Sequence, residues 1–363
     1  MVKTSIDYLK NFWNGKKVLI TGHTGFKGSW LAQWLTILGS KVTGISLEPN
    51  STPSHYELLD LKSKIESLIL DIRDYDNLKY KLHQIKPDFI FHLAAQPIVK
   101  HSYENPLKTF STNVIGTINL LETLRTYDNE CIVVLITSDK CYENVEWIWG
   151  YKETDRLGGS DPYSASKAAA EISIKSYIDS FFPINGNIKI SIGRAGNVIG
   201  GGDWSESRII PDAIISWSKN KTLKIKNPNS TRPWQHVLEP LSGYIVLAEK
   251  LKENNGLHGE AFNFGPKSDQ NFTVQKVIEE ISKYWIGSDW SPVKNNKNKF
   301  YESSLLKLNC DKALYMLDWK SSLGFNETIK YTAEWYKAYF EKKVISEITE
   351  RQIRDYSKNL SLK

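Results

Sequence analysis

Lys17-Val-Leu-Ile-Thr-Gly22-His-Thr-Gly25-Phe-Lys-Gly28-Ser-Trp30 joins a short apolar, β-branched run to three regularly spaced glycines and then to an apolar stretch with helical spacing. Glycines at such a turn let the backbone double back and approach a pyrophosphate, whose charge then meets the N-terminus of the helix. A glycine triplet alone also fits a structural turn. The strand before it and the helix after it make the stretch a dinucleotide loop, with Gly22, His23, Thr24, Gly25, Phe26, Lys27 and Gly28 as candidate cofactor contacts.

Outward from this loop, short β-branched runs alternate with amphipathic segments, the pattern of a Rossmann-type doubly wound parallel sheet. Strands are predicted at 17–21, 41–46, 67–70, 89–93, 131–137 and 189–194, and helices at 30–38, 78–84, 112–126 and 163–181. After Gly196 the texture turns to Gly-, Pro- and Trp-rich loops, with helices near 208–219 and 238–252. This reads as a dinucleotide domain over 1–196 and a smaller mixed α/β substrate lobe over 197–363, with some chain crossing between them. The run 294–299 reads as a solvated charged loop.

Several strand ends are candidate cofactor contacts. Ser46 closes the second strand, where NAD-preferring folds often place an acid against the ribose. Glu48 either reaches that ribose or is an exposed loop acid, and the absence of a nearby arginine favours NAD over NADP. Asp71 either accepts from an adenine amino group, with Ile72 covering the ring, or caps the next turn. Leu93, Ala94, Ala95 and Gln96 close the fourth strand with small residues that suit close passage of a cofactor, or simple packing. Asn113, Thr137 and Arg194 complete the expected cofactor set.

The 363 residues are enough for one large domain or two fused lobes without a metal or disulfide staple. Three cysteines without paired spacing point to a reducing cytoplasm. The first fifteen residues mix charges with isolated aromatics, so neither a signal peptide nor a membrane span is expected. The net charge of +6 is dispersed among acids, which argues against nucleic acid and suits an anionic diphosphate. His101 and His236 lack partners at metal-ligand spacing, so no metal is expected.

Chemistry concentrates in two places. Tyr163 and Lys167, four residues apart, share one helix face, where a nearby cation would draw the phenol below its usual pKa of about 10. Thr137-Ser138-Asp139-Lys140 ends an apolar strand, where an open parallel sheet puts its ligand crevice. Ser138 there can hydrogen-bond a sugar hydroxyl and Asp139 can donate a proton. Lys140 is either a catalytic amine or a solvated surface lysine.

The glycine loop, the strand-end Ser138 and the Tyr163/Lys167 pair resemble the extended short-chain dehydrogenase/reductase family over nearly the whole chain. Within it, 137–142, 147–151, 194–204 and 232–240 resemble the CDP-glucose 4,6-dehydratases. The resemblance implies bound NAD, CDP-glucose as substrate, and a cycle of oxidation at C4, loss of water across C5–C6, and reduction at C6. Tyr163 would be the base at the C4 hydroxyl, Asp139 the acid at C6, and Lys140 the base at C5. The dTDP-glucose dehydratases, however, carry Asp-Glu in place of Asp139-Lys140. For the nucleotide end, Asn197, Gly202 and Asp203 would offer amides to phosphate, and Arg208 and Arg232 would neutralise it. Trp204 and Trp234 line the sugar or base, or pack in the core. Ala168, Ala169, Ala170 and Ile174 either pack across a homodimer axis or face the subunit core. The rival readings are an epimerase or dehydratase of another nucleotide sugar, and a catalytically silent NAD-binding regulator.

Overall fold

The computed structural model describes residues 5–293 and 305–360; the run 294–299 lies outside them. Seven parallel strands form one sheet: β1 (Lys17–Thr21), β2 (Lys41–Ser46), β3 (Glu66–Ile69), β4 (Phe89–His92), β5 (Cys131–Ile136), β6 (Ile188–Ala195) and β7 (Ala261–Phe264). Their spatial order is β3-β2-β1-β4-β5-β6-β7, so the chain reverses direction across the sheet between β1 and β4. Such a switch point opens a crevice at the C-terminal strand ends, and the glycine loop sits at its edge. β5 is buried along its whole length, as a strand covered on both faces must be.

The six strands expected from the sequence lie within a residue or so of their predicted limits. β7 was not foreseen; it comes from the C-terminal half and pairs with β6 in the register Ala261 to Ile192. Helix Leu238–Glu253 likewise packs back on β5 and β6, carrying Tyr244 beneath Gly193. A smaller α/β lobe contains three two-stranded pairs, one of which joins Thr231–Arg232 to Phe272–Thr273. Among the described residues no helix is long and apolar enough to cross a membrane.

The helix predicted over 112–126 is interrupted: Pro106–Phe110 and Gly116–Leu124 are joined by a π-helical turn at Ser111–Ile115. Such bulges concentrate at functional sites, and this one carries Asn113. In helix Pro162–Phe181 the alanine stretch resolves in favour of the subunit interior. Ala168, Ala170 and Ile174 are buried, because the helix presents that face to its own sheet.

The N-terminal stretch forms a helix, Ser5–Trp13, that period-based reading missed because only its Leu9 and Trp13 are fully buried. The Trp13 indole donates to Glu249, whose carboxyl burial raises to about 8. A carboxyl whose folded pKa lies above its unfolded value near 4.5 contributes stability at acid pH that is lost as pH rises through about 8. Glu249→Gln should therefore flatten the fall in melting temperature between pH 5 and 8. At the alkaline end it should be more stable than the parent by on the order of 1–3 kcal/mol, measured by thermal and urea denaturation.

Candidate active site

The glycine loop is a backbone cradle. Gly22 has φ +80°, and a Cβ there would lie 2.8 Å from the Ala94 amide nitrogen; one on Gly28 would lie 2.0 Å from the Gly22 carbonyl oxygen. The small residues after β4 thus serve the close approach of the two loops, and Leu93, Ala94 and Ala95 remain half-buried along the crevice. Gly25 caps helix Phe26–Ile37 without any side chain, which leaves the amides of the first turn to an anion. This bare cradle at a helix N-terminus fits the pyrophosphate of a dinucleotide.

Around the cradle the side chains are braced. The Thr24 hydroxyl lies 2.8 Å from that of Ser46 and donates to the Leu47 carbonyl at 2.8 Å, while Glu48 is exposed just beyond. His23 packs over Gly44, its Nε2 2.7 Å from the Ser67 hydroxyl; burial lowers its pKa to about 4, so the ring is neutral. Asp71 accepts from Arg73 through both side chain and backbone, and that contact holds its carboxyl below the usual range. Ile72 is only 4% exposed and packs on Gly116, so the interior takes the side chain expected to cover an adenine ring.

Helix Pro162–Phe181 is fixed at its start. Asp161 caps it, accepting from the Ser164 amide at 3.0 Å, and the Ser102 hydroxyl accepts from the Tyr163 amide at 3.2 Å. Asn113, expected beside the cofactor, is a strut. Its Oδ1 accepts from the Gln96 amide at 2.8 Å, and its Nδ2 donates to the Gln96 carbonyl at 3.2 Å and the Ser166 hydroxyl at 2.8 Å. Three of its four hydrogen-bonding positions are therefore spent inside the protein. His92, which sequence reading passed over, extends the brace. Its ring lies 2.8 Å from the Thr21 hydroxyl and 3.2 Å from that of Thr117, and burial lowers its pKa to about 3. A histidine ending a buried strand was the only signal for it.

Ser138, Asp139, Tyr163 and Lys167 converge in the crevice, all buried. Ser138 donates to Asp139 Oδ1 at 2.9 Å, and Asp139 Oδ2 has no hydrogen-bond partner among the described residues. Burial raises the Asp139 pKa, against Lys140, Ser138, Lys27 and Arg232, which favour the anion. A carboxyl shifted upward in this way is a better proton donor than an ordinary aspartate. Lys167 donates to the Ile136 carbonyl at 3.5 Å, and burial lowers it to about 8. The Tyr163 phenol is governed in the protein alone by burial. Burial pushes it up to about 12, with the Ser138 hydroxyl and Arg208 drawing it back, and the helical neighbour Lys167 does not offset the burial.

Other assignments shift for geometric reasons. Arg194 is committed to the interior, bonding Glu171 from Nε and Nη2 at 2.8 Å each and the Tyr142 hydroxyl from Nη1 at 2.8 Å. Thr137 donates to the same Glu171 and so belongs to that network. The Gly200–Trp204 loop is buried rather than open to phosphate: Gly202 packs on His55, Gly201 on Trp335, and Asp203 pairs with Arg208 at 2.8 Å. Trp204 meets Trp335 and Tyr336 edge to face and Tyr339 at a tilt, and the Trp234 indole donates to the Phe272 carbonyl at 2.8 Å, so both tryptophans pack the core. Asn197 is half-buried beside this loop. Arg208 remains close enough to the crevice to act on Tyr163 and Lys27, and Arg232 acts on Asp139. Lys140 is half-buried and lines a crevice with Tyr142, Asn144, Gly159, Asp161 and Ser164, in which neither Tyr163 nor Lys167 takes part.

A buried acid, a phenol and several cations at a dinucleotide cradle can oxidise an alcohol and expel an adjacent hydroxyl. Comparison with known proteins agrees with that chemistry. A CDP-glucose 4,6-dehydratase of Salmonella typhimurium is 46% identical over 96% of this chain and 98% of its own length. An epimerase structure from Methanothermobacter thermautotrophicus superposes with a TM-score of 0.78 at 23% identity, covering 98% of this chain and 99% of that one. A dTDP-glucose 4,6-dehydratase from Streptomyces venezuelae, solved with NAD and TYD, gives 0.76 at 22% identity, covering 90% and 98%. Residues 19–332 match the GDP-mannose 4,6 dehydratase family model, and the chain belongs to that family.

Proposed function

We propose that this enzyme converts CDP-glucose to CDP-4-keto-6-deoxyglucose and water with tightly held NAD. The observation that carries the reading is Tyr163, on one helix face with Lys167, close enough to a buried, half-partnered Asp139 past the end of β5 for its charge to act on the phenol. Residues 1–196 hold the dinucleotide, and 197–363 contribute mostly to the sugar nucleotide. Bound on the Gly22–Gly28 cradle, NAD would supply the hydride acceptor and donor for the sugar, and its positive nicotinamide would favour the tyrosinate. Tyr163 removes the C4 hydroxyl proton, Lys167 holds the cofactor ribose, and Ser138 orients the sugar hydroxyl. The resulting ketone acidifies C5–H, and Asp139 protonates the C6 oxygen as it leaves. The C5 proton needs a base, and the residue expected from the resemblance is Lys140, which can serve only as the neutral amine. Arg208 and Arg232 set a positive field for the diphosphate.

Assembly and location follow the same reading. Leu107 (83% exposed), Ile115, Ile172 and Phe181 are exposed on neighbouring helices, an apolar face that suits a homodimer axis. Free cysteines throughout the described residues suit a reducing cytoplasm.

Incubation with CDP-glucose and NAD should yield a product lighter by one water in the mass spectrum, with the alkaline absorbance of a 4-keto-6-deoxy sugar. Turnover of dTDP- or UDP-hexoses in its place would keep the reaction and overturn the nucleotide; turnover of none would leave a silent binder.

A further inference from the structure

We propose that Lys27, between the second and third glycines of the cofactor loop, is the base that removes the sugar C5 proton. This rests on the dehydratase reading above. The Lys27 ammonium lies 5.9 Å from the centroid of the Tyr244 ring. Tyr244 is fully buried, its hydroxyl has no partner among the described residues, and Tyr163 and Asp139 both act on it electrostatically. Asp139 Oδ2 is the second partnerless buried atom of the same crevice, and Lys27 acts on that carboxyl too. Unsatisfied buried polar atoms are rare in folded proteins and mark places where a ligand completes the bonding. Both Lys140 and Lys27 act on Asp139, Lys140 the more strongly, but Lys27 also lies over the Tyr244 ring and feels Lys167 and Arg208 from within the crevice.

The surroundings also suit a neutral amine. Burial, Arg208 and Lys167 press the Lys27 pKa down to about 7, against the single opposing charge of Asp139. At neutral pH about half of the amine is then free to take a proton. In the step, the C5–H bond breaks, its proton goes to Lys27 Nζ, and its electron pair forms the C4 enolate. The C6–O bond then breaks as the C5=C6 bond forms, and the oxygen leaves as water with the Asp139 proton. The Lys27 ammonium later returns a proton to C5. Tyr163, which gained the C4 hydroxyl proton, and Asp139, which lost one, are reset by solvent.

The test uses the full chain with saturating NAD and CDP-glucose in H2O and D2O, following absorbance at 340 nm and deuterium at product C5. The parent enzyme should place deuterium at C5. Lys27→Met should still reduce the cofactor in a single turnover but lose water about a hundredfold more slowly, with partial rescue by methylamine. Lys27→Arg, which keeps the charge without a titrating amine, should behave alike and guards against a folding or cofactor-binding defect in the methionine variant. Dehydration at the parent rate by either variant would overturn the proposal, as would reduced cofactor trapped in Lys140→Met but not in Lys27→Met. A parent enzyme that leaves CDP-glucose unchanged would instead refute the dehydratase reading.

Discussion

Tyr163→Phe should lower kcat for dehydration of CDP-glucose about a thousandfold and leave KM within about threefold. In the proposed mechanism the phenol takes the C4 hydroxyl proton, and phenylalanine would fill the same buried slot. The supports of the helix bind its backbone rather than the phenol: Asp161 at the Ser164 amide, Ser102 at the Tyr163 amide, and Asn113 through Ser166, which donates to the Tyr163 carbonyl. The melting temperature should accordingly stay within a degree or two. Since burial, against the pull of Ser138 and Arg208, holds the phenol at about 12, the parent enzyme should gain rate with rising pH on its acid side, where tyrosinate is scarce. Steady-state kinetics across pH check both points. A variant keeping more than about a tenth of the parent kcat would move the base elsewhere.

Arg194→Met should have the largest effect on stability, costing about 3–5 kcal/mol in urea unfolding. Arg194 is 4% exposed and Glu171 2%, and their 2.8 Å ion pair is closed by Tyr142 and the Glu153 carbonyl. Removing the guanidinium leaves a carboxylate in the interior with the Thr137 hydroxyl and the Cys141 thiol as its side-chain donors among the described residues. The double variant Glu171→Met with Arg194→Met should recover much of the loss, because two apolar side chains leave no charge behind. If the single variant were as stable as the parent while NAD affinity, followed by titration, collapsed, Arg194 would act on the cofactor and not on the fold.

The same residues show how far sequence reading reached. β1, its glycines and the following helix were legible because local chemistry forces them: no other residue fits a turn that brings Gly28 against the Gly22 carbonyl. The strands were legible because a parallel strand covered on both faces must be almost continuously apolar. β7 and helix Ser5–Trp13 were not. A four-residue strand such as Ala261–Phe264 carries too little pattern, and it becomes a strand only because β6 offers an open edge.

Residue identity and spacing by themselves determined the parallel α/β class, the dinucleotide cradle and the pairing of Tyr163 with Lys167, because each depends on neighbours within one turn or one strand. Tertiary structure alone decided which polar groups are spent on the fold. Arg194, Asn113 and Trp234 read as ligand contacts until partners distant in the chain took up their donors and acceptors, and Asp203 until Arg208, close by in sequence, paired with it. It also decided which groups remain for chemistry. Asp139 and Tyr244 keep unpartnered atoms, and Lys27 is placed beside them, because burial and electrostatics are set by the packing of β5, the glycine loop and helix Leu238–Glu253 around one crevice.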